Sequence, residues 1–398
     1  MPYLFDTPNG FTLIHTTAKN GVFYQSFTSP PYKSKTIQIS AQSPTSYSAC
    51  MDATNRLHVA ILLDAFHLNY YSYENNHFEK NILASNPNSN DMLFAPTIYN
   101  LSGQPSFSIA YLSHQMHTEV YNFIVETPYK HQQSVLLTLS TCPYFIKSYT
   151  TFQALWIFFI TSDTYYHLHA LHITDSEAHF CTYLNLNEPI IDYSICIAED
   201  FVHVTYVSEL NGKYQVSYFN THYRKLTHLL ITNTPCYPTV FSYYNMIWVH
   251  MMINRQLQMM LSIDDGQSFS TPTPCSIQNN VYRSFFFTQR DSPFIGQELY
   301  ASIGSTLKLC TLALIDFPRF HLDTHIAPEL ELLVEGFLLS LENSKTQSAL
   351  SAPCPPLASE ASSTVGTVSK HALNTSSLDQ AKNDFMQDLR GWELPPKI

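Results

Sequence analysis

A strand opening that returns every 45 to 52 residues constrains this chain more than any other feature. Its members are Phe11, Leu57, Phe107, Leu155, Val202, Ile247 and Leu299. Several of them read alike: Leu57-His-Val, Leu155-Trp-Ile, Val202-His-Val and Ile247-Trp-Val. The turn after the following strand also recurs, apolar first, then polar turn residues, then an aromatic. Tyr73 to Phe78, Phe219 to Tyr223 and Ile263 to Phe269 are examples. Units of about 40–50 residues built from strands are the mark of propeller blades, each a four-stranded sheet. A two-sheet sandwich needs no fixed period. The spacing therefore predicts an all-β, seven-bladed β-propeller of four-stranded antiparallel blades over residues 1–323, with the strong strand second from the axis.

A third echo precedes the strong strand. A serine follows a larger side chain at Tyr47-Ser48, Lys147-Ser148, Tyr193-Ser194, Phe241-Ser242 and Arg283-Ser284. A small residue suits the innermost strand, where blades crowd the axis. Tyr47, Lys147, Tyr193 and Arg283 then share one phase, with Asp192 beside them, and they mark a candidate axial pocket. Two cations there, in a chain of net charge −11, suggest an anionic ligand such as a carboxylate, phosphate or sulfate. The competing reading is that these side chains only pack between blades.

Composition fits packed sheets and removes several function classes. Charged residues make up 13% of the chain, while Tyr and Phe number 26 each. Blades covered on both faces need nearly continuous apolar strands, as in Trp156-Ile-Phe-Phe-Ile160. No cluster of Lys and Arg offers the basic footprint that nucleic acid requires. The first ten residues have no basic segment followed by an apolar one, and no apolar run approaches the length of a membrane span. The eight cysteines are scattered without a Cys-x-x-Cys pair. They read as reduced thiols, and the expected setting is cytoplasmic.

Within the sixth unit, Ser262-Ile-Asp-Asp-Gly-Gln-Ser-Phe269 combines carboxylates that accept from backbone N–H groups with a glycine that tolerates positive φ. This stretch resembles the Asp-box (BNR, sialidase-type) repeat, Ser-x-Asp-x-Gly-x-x-Trp. Ser262, Asp264 and Gly266 match, and Phe269 stands near the Trp position. The resemblance covers one turn directly. It implies a propeller in which this turn is structural and lies at the blade rim, away from any active site. It also brings in glycan binding or glycoside hydrolysis as an alternative function. Sialidases grip their substrate with three arginines from inner strands, and here only Arg283 lies on such a strand. No Tyr/Glu nucleophile pair can be assigned, so no catalytic residue is expected.

His167-Leu-His169 places two imidazoles on one strand face, with His172 on the other. A zinc site wants three or four clustered ligands, so no metal or cofactor is expected. His58 and His203 share a repeat position, which points to packing. Beyond the strands, Pro328 to Leu341 has helical spacing, giving an amphipathic helix over 324–343. Residues 344–375 are rich in Ser, Thr, Ala and Pro and read as a disordered linker. A short terminal helix is expected within 376–398, where Phe385, Leu389 and Trp392 would face a protein partner. The sequence thus reads as a non-enzymatic intracellular binding scaffold, engaging partners through a propeller face or the terminal helix.

Overall fold

The computed structural model describes residues 1–322 except the short stretches 8–9, 18–20, 29–33, 53, 75–76, 86–90, 102–106, 128–131, 152, 175–176, 199–200, 244–245, 263, 270–271, 275–280, 289–293, 304–306, 310–314 and 317–320. The helix expected over 324–343, the linker over 344–375 and the terminal segment with Phe385, Leu389 and Trp392 lie outside the described residues.

The first sheet contains β1 (Tyr3–Thr7), β2 (Gly10–Thr16), β3 (Val22–Thr28) and β4 (Ser34–Ser40). The second contains β5 (Ser46–Met51), β6 (Leu57–Asp64), β7 (His67–Glu74) and β8 (His77–Ser85). The third contains β9 (Asp91–Tyr99), β10 (Ser108–Gln115), β11 (Val120–Thr127) and β12 (Gln132–Leu139). The fourth contains β13 (Tyr144–Thr150), β14 (Leu155–Ser162), β15 (Tyr166–Ile173) and β16 (Ala178–Leu186). The fifth contains β17 (Ile190–Ala198), β18 (Phe201–Leu210), β19 (Lys213–Asn220) and β20 (Lys225–Thr232). The sixth contains β21 (Tyr237–Tyr243), β22 (Met246–Ile253), β23 (Gln256–Ser262) and β24 (Thr273–Pro274). Within each set the strands pair in order and antiparallel, so the strong strand is second, as its apolar run requires.

The fold is an all-β propeller, but it has six blades where the period predicts seven. The seventh unit supplies β25 (Val281–Thr288), a two-residue strand β26 (Phe294–Ile295), β27 (Glu298–Ile303) and β28 (Leu307–Leu309). These do not form a sheet of their own. β25 pairs in parallel with β1, Tyr3 opposite Phe285 through Asp6 opposite Thr288, and carries β27 and β28 with it into the first sheet. β26 instead caps the inner edge of the sixth sheet. The physical cause is an open edge: the first strand of a blade has one unpaired side, and β25 satisfies it. A final pair, β29 (Ile315–Asp316) and β30 (His321–Leu322), stands apart.

The core is distributed between sheets. Leu155, Ile157 and Phe159 of β14 pack toward the third sheet, against Leu112 and Phe123. Their alternate neighbours Phe158 and Ile160 pack toward the fifth, against Ile195 and Val204. Strand alternation thus buries both faces, which is why the run carries no polar residue. Outermost strands need no such cover, and β12, β16 and β20 are largely exposed. Asn211 and Gly212 both adopt positive φ, at 54° and 72°, as a tight Asn-Gly hairpin demands.

The turn from Ser262 to Phe269 is closed by its own side chains. The Ser262 hydroxyl donates to Asp264 Oδ1 at 2.8 Å and accepts from the Gly266 N–H at 2.8 Å. Asp264 also accepts from the Ser268 N–H at 2.9 Å. Asn220 donates to the Asp265 carbonyl at 2.8 Å, and Phe269 meets the Tyr218 ring edge-on at 4.8 Å. The turn therefore ties the sixth sheet to the fifth.

Candidate binding site

The first strands of the sheets converge on a cavity of about 650 Å³. Its wall includes Tyr47 of β5, Thr97 of β9, Lys147 of β13, Asp192 of β17, Tyr237 of β21 and Arg283 of β25. Four of the five residues expected at the axis, Tyr47, Lys147, Asp192 and Arg283, therefore reach one funnel. The fifth, Tyr193, is fully buried beneath it; its hydroxyl donates to the Phe158 carbonyl at 2.9 Å and to that of Phe145. The repeated serines stitch neighbouring first strands together. Ser48 accepts from the Ile98 N–H at 3.1 Å, and Ser194 from that of Val240 at 3.2 Å. Thr97 takes the corresponding part in the third sheet, with its hydroxyl 2.6 Å from that of Ser148.

The shape of the wall comes from three β-bulges at one level. In β9, Ala95 and Pro96 together oppose Tyr111; in β13, Phe145 and Ile146 oppose Phe159; in β17, Ile191 is an extra residue between Ile190 and Asp192. A bulge bends its strand and re-aims side chains. All five bulged residues line the funnel. Ala95 and Phe145 pay for this with positive φ, 45° and 47°.

The floor is a four-membered charge cluster. Lys147 Nζ lies 3.0 Å from Asp192 Oδ1 and 3.3 Å from Glu298 Oε1. Arg283 binds both of the same carboxylates and donates to the Tyr193 carbonyl at 2.8 Å. Tyr149 donates to Glu298 at 2.6 Å. Glu298 is fully buried, and Lys147, Asp192 and Arg283 are about nine-tenths buried. Burial would raise the Asp192 carboxyl, but Lys147 and Arg283 outweigh it and hold the group below the usual carboxylate range. Burial also pulls the Lys147 ammonium down, helped by Arg283 and opposed by the two acids.

The expected cation pair therefore exists, and the anions it holds are the chain's own. The two side-chain cations are thus met by two side-chain carboxylates, and the Met1 α-amino group, at the same funnel, feels Glu298, Lys147 and Arg283 as well. Glu298 is the residue that sequence reasoning missed. It opens β27 directly opposite Phe285 and diagonal to Arg283, and an acid at the head of an apolar strand was the available signal. The rim aromatics Phe145, Tyr237 and Tyr282 were missed as well.

Further along the same strands lies a second cavity of about 300 Å³, bounded by Tyr149, Ile195, Phe286 and Gln297. Gln297 receives the Thr150 N–H at 2.7 Å and donates back to the Thr150 carbonyl. Lys147, Asp192 and Arg283 of the charge cluster border the funnel, while Tyr149, which donates to Glu298, borders the second cavity. Among the described residues no group of three His, Cys, Asp or Glu is placed to hold a metal. His167 and His169 stack at 5.7 Å but are engaged with Asp163, Asn185, Thr161 and Thr182.

No family profile and no curated protein sequence matches the chain. Solved structures do resemble its backbone. The polysaccharide lyase Uly1 aligns over 76% of this chain and 86% of its own, at 9% identity and a TM-score of 0.47. The fucose-specific lectin from Aleuria aurantia aligns over 70% and 96%, at 11% identity and a TM-score of 0.40. The WD40 domain of SCAP from fission yeast aligns over 71% and 75%, at 9% identity and a TM-score of 0.43. The likeness concerns backbone shape and carries no argument about ligand or activity.

Proposed function

We propose that this protein is a non-enzymatic binding propeller that receives its ligand in the axial funnel. The observation that carries the reading is the funnel itself: about 650 Å³, walled by first strands of successive sheets and bulged to aim side chains inward. Its size is that of pockets that bury most of a small ligand, and its mixture of apolar wall and few polar groups is the usual one.

Glycoside hydrolysis is the second reading, because two carboxylates, Asp192 and Glu298, meet at the floor. A hydrolase of this kind needs one carboxyl held protonated as a general acid. Asp192 is instead held ionised by Lys147 and Arg283, and Glu298 contacts the same two cations. Both acids are occupied in holding the sheets together. Incubation with aryl glycosides and polysaccharides is expected to release no product. Turnover that disappears in Glu298→Gln while the variant stays folded would replace the binding reading with hydrolysis.

The cytoplasmic setting and a protein partner for Phe385, Leu389 and Trp392 belong to the same proposal. No helix among the described residues is long and apolar enough to cross a membrane. Comparing partners captured by the full chain and by the chain lacking residues 344–398 tests the terminal segment's role.

A further inference from the structure

The funnel opens on one face of the ring, and that face is apolar at its centre and acidic around it. First strands begin beside the turns that join second strands to third ones. Ser46 lies opposite Leu62, Asp91 opposite Gln115, Tyr144 opposite Ile160 and Ile190 opposite Ser208. The funnel is built on the opening halves of the first strands, so it and these turns share one end of the ring. Phe145, Tyr237 and Tyr282 stand at its mouth with 48%, 49% and 51% exposure. Met116, Tyr165 and Leu210, at the turns outside them, are exposed as well. Aromatic side chains and methionine left in the open are what protein interfaces are enriched in.

Phe145 supplies an independent observation. A bulky residue at a φ of 47° is held against a backbone cost of about 1–2 kcal/mol. Tyr193, from the next sheet, fixes the strained unit by donating to its carbonyl. The ring is left half in solvent, where packing within the chain gains little from it.

Charge decides what this face receives. Among the described residues, the turns carry Asp64, Glu119, Asp163 and Glu209 in the open, against Lys213 and Arg255. Asp91 and Glu188, half-buried at the same end, have the majority sign. Asp64 and Asp163 also cap their turns, accepting from the Phe66 and Tyr165 N–H groups at 2.7 and 2.9 Å, which leaves their charge in place. Deeper in there is no excess of carboxylate. Lys147 and Arg283 bind Asp192 and Glu298, and the Met1 α-amino group adds to the cations when protonated. A ligand cation is therefore favoured over the turns and not at the floor. Between them the wall, with Ile146, Ile191, Val281 and Phe285, is mostly hydrocarbon and suits an apolar side chain. An acidic segment or a nucleic-acid strand would meet like charge on approach. The chain's own residues 324–398, with nine carboxylates and five cations, would meet it too.

We infer, on the reading that the funnel is the binding site, that this face docks a basic segment of another protein. One apolar side chain enters the funnel mouth, and lysines or arginines on either side lie over the surrounding turns. The full chain is to be titrated by fluorescence anisotropy into libraries of short labelled peptides. These have Leu, Phe or Trp at the centre with Lys/Arg flanks, the same centres with Asp/Glu flanks, or Ser at the centre with Lys/Arg flanks. A peptide of residues 376–398 is included. Basic peptides with an apolar centre are expected to bind at least about tenfold more tightly than the other designs, and to weaken as salt is raised. Phe145→Ala and Tyr282→Ala should each weaken that binding about tenfold or more, a loss typical of a central aromatic contact. Glu119→Lys combined with Glu209→Lys should also weaken it and flatten its salt dependence. Phe180→Ala, which removes an exposed ring on the outer strand of the fourth sheet, should change nothing. Circular dichroism confirms that each variant is folded. Tighter binding of acidic peptides or of residues 376–398, lost in Tyr282→Ala, overturns the basic partner and leaves the funnel as the site. Basic peptides bound equally by wild type and both aromatic variants would overturn the funnel as well. No binding by any peptide overturns the inference and leaves the funnel to a small ligand.

Discussion

His250 has both ring nitrogens buried without a hydrogen-bond partner and sits edge-on to Phe241 at 5.0 Å. Burial lowers its pKa from 6.5 to about 3. Below pH 6.5 the unfolded chain takes up a proton that the folded chain refuses. The stability that depends on a neutral His250 is complete above pH 6.5 and declines as pH falls toward about 3. His250→Leu should therefore lose less stability than wild type between pH 7 and pH 5 in urea unfolding. At pH 7 it should be within about 1 kcal/mol of wild type, since it removes two unpaired polar atoms from the core. An unchanged pH slope would show that the ring is not the sensitive group. At the turn, Asp264→Ala loses bonds from Ser262 and Ser268 and should cost about 1–3 kcal/mol, with funnel binding intact. Gly266→Ala should cost at least as much. Its φ is 82°, and an added methyl would fall 2.1 Å from the Tyr218 hydroxyl oxygen. Equal stability of either variant to wild type in thermal melts would remove the turn from the structural framework.

The bulges govern the funnel at the scale of single strands. An extra residue shifts side-chain parity, so Ile146, Lys147 and Ser148 all reach the same cavity although they are consecutive. Ala95 carries the backbone cost of its bulge with φ of 45°. Ala95→Gly should relieve it and raise stability by about 1 kcal/mol, read from the denaturation midpoint. A loss of stability would mean that the strand is not strained there. Tyr47, Lys147 and Tyr193 of the serine phase lie on the first strands β5, β13 and β17, whereas Arg283 lies on β25, which joined the first sheet. The bulges were not legible, because a bulge is a property of two strands in register and neither strand shows it alone.

Closure is decided at the scale of the molecule. The parallel pairing of β1 with β25 joins the start of the described chain to its last repeat, and the Phe285 N–H donates to the Pro2 carbonyl at 2.9 Å. Segments near chain ends usually fray. Here the amides of Tyr3 to Asp6 and Phe285 to Thr288 should exchange with solvent as slowly as those of β14 and β18, because releasing them opens the ring. Rapid exchange in β1 alone would show that the pairing is not part of the cooperative structure.

By itself the sequence determined the architecture within a repeat: four strands, the apolar one second, a serine-marked first strand, and four of the side chains that line the funnel. Those features are local, fixed by alternation, turn chemistry and a period of 45 to 52 residues that any unit displays alone. Only the tertiary structure decided the number of blades and the charge of the site. The seventh unit joined the first sheet because an open strand edge was within reach. The cation pair gained a second carboxylate because Glu298, more than 100 residues from Asp192 in the chain, was brought against it. Both outcomes depend on contacts between distant segments, where pairing and burial set the energy and sequence neighbours carry no record of it.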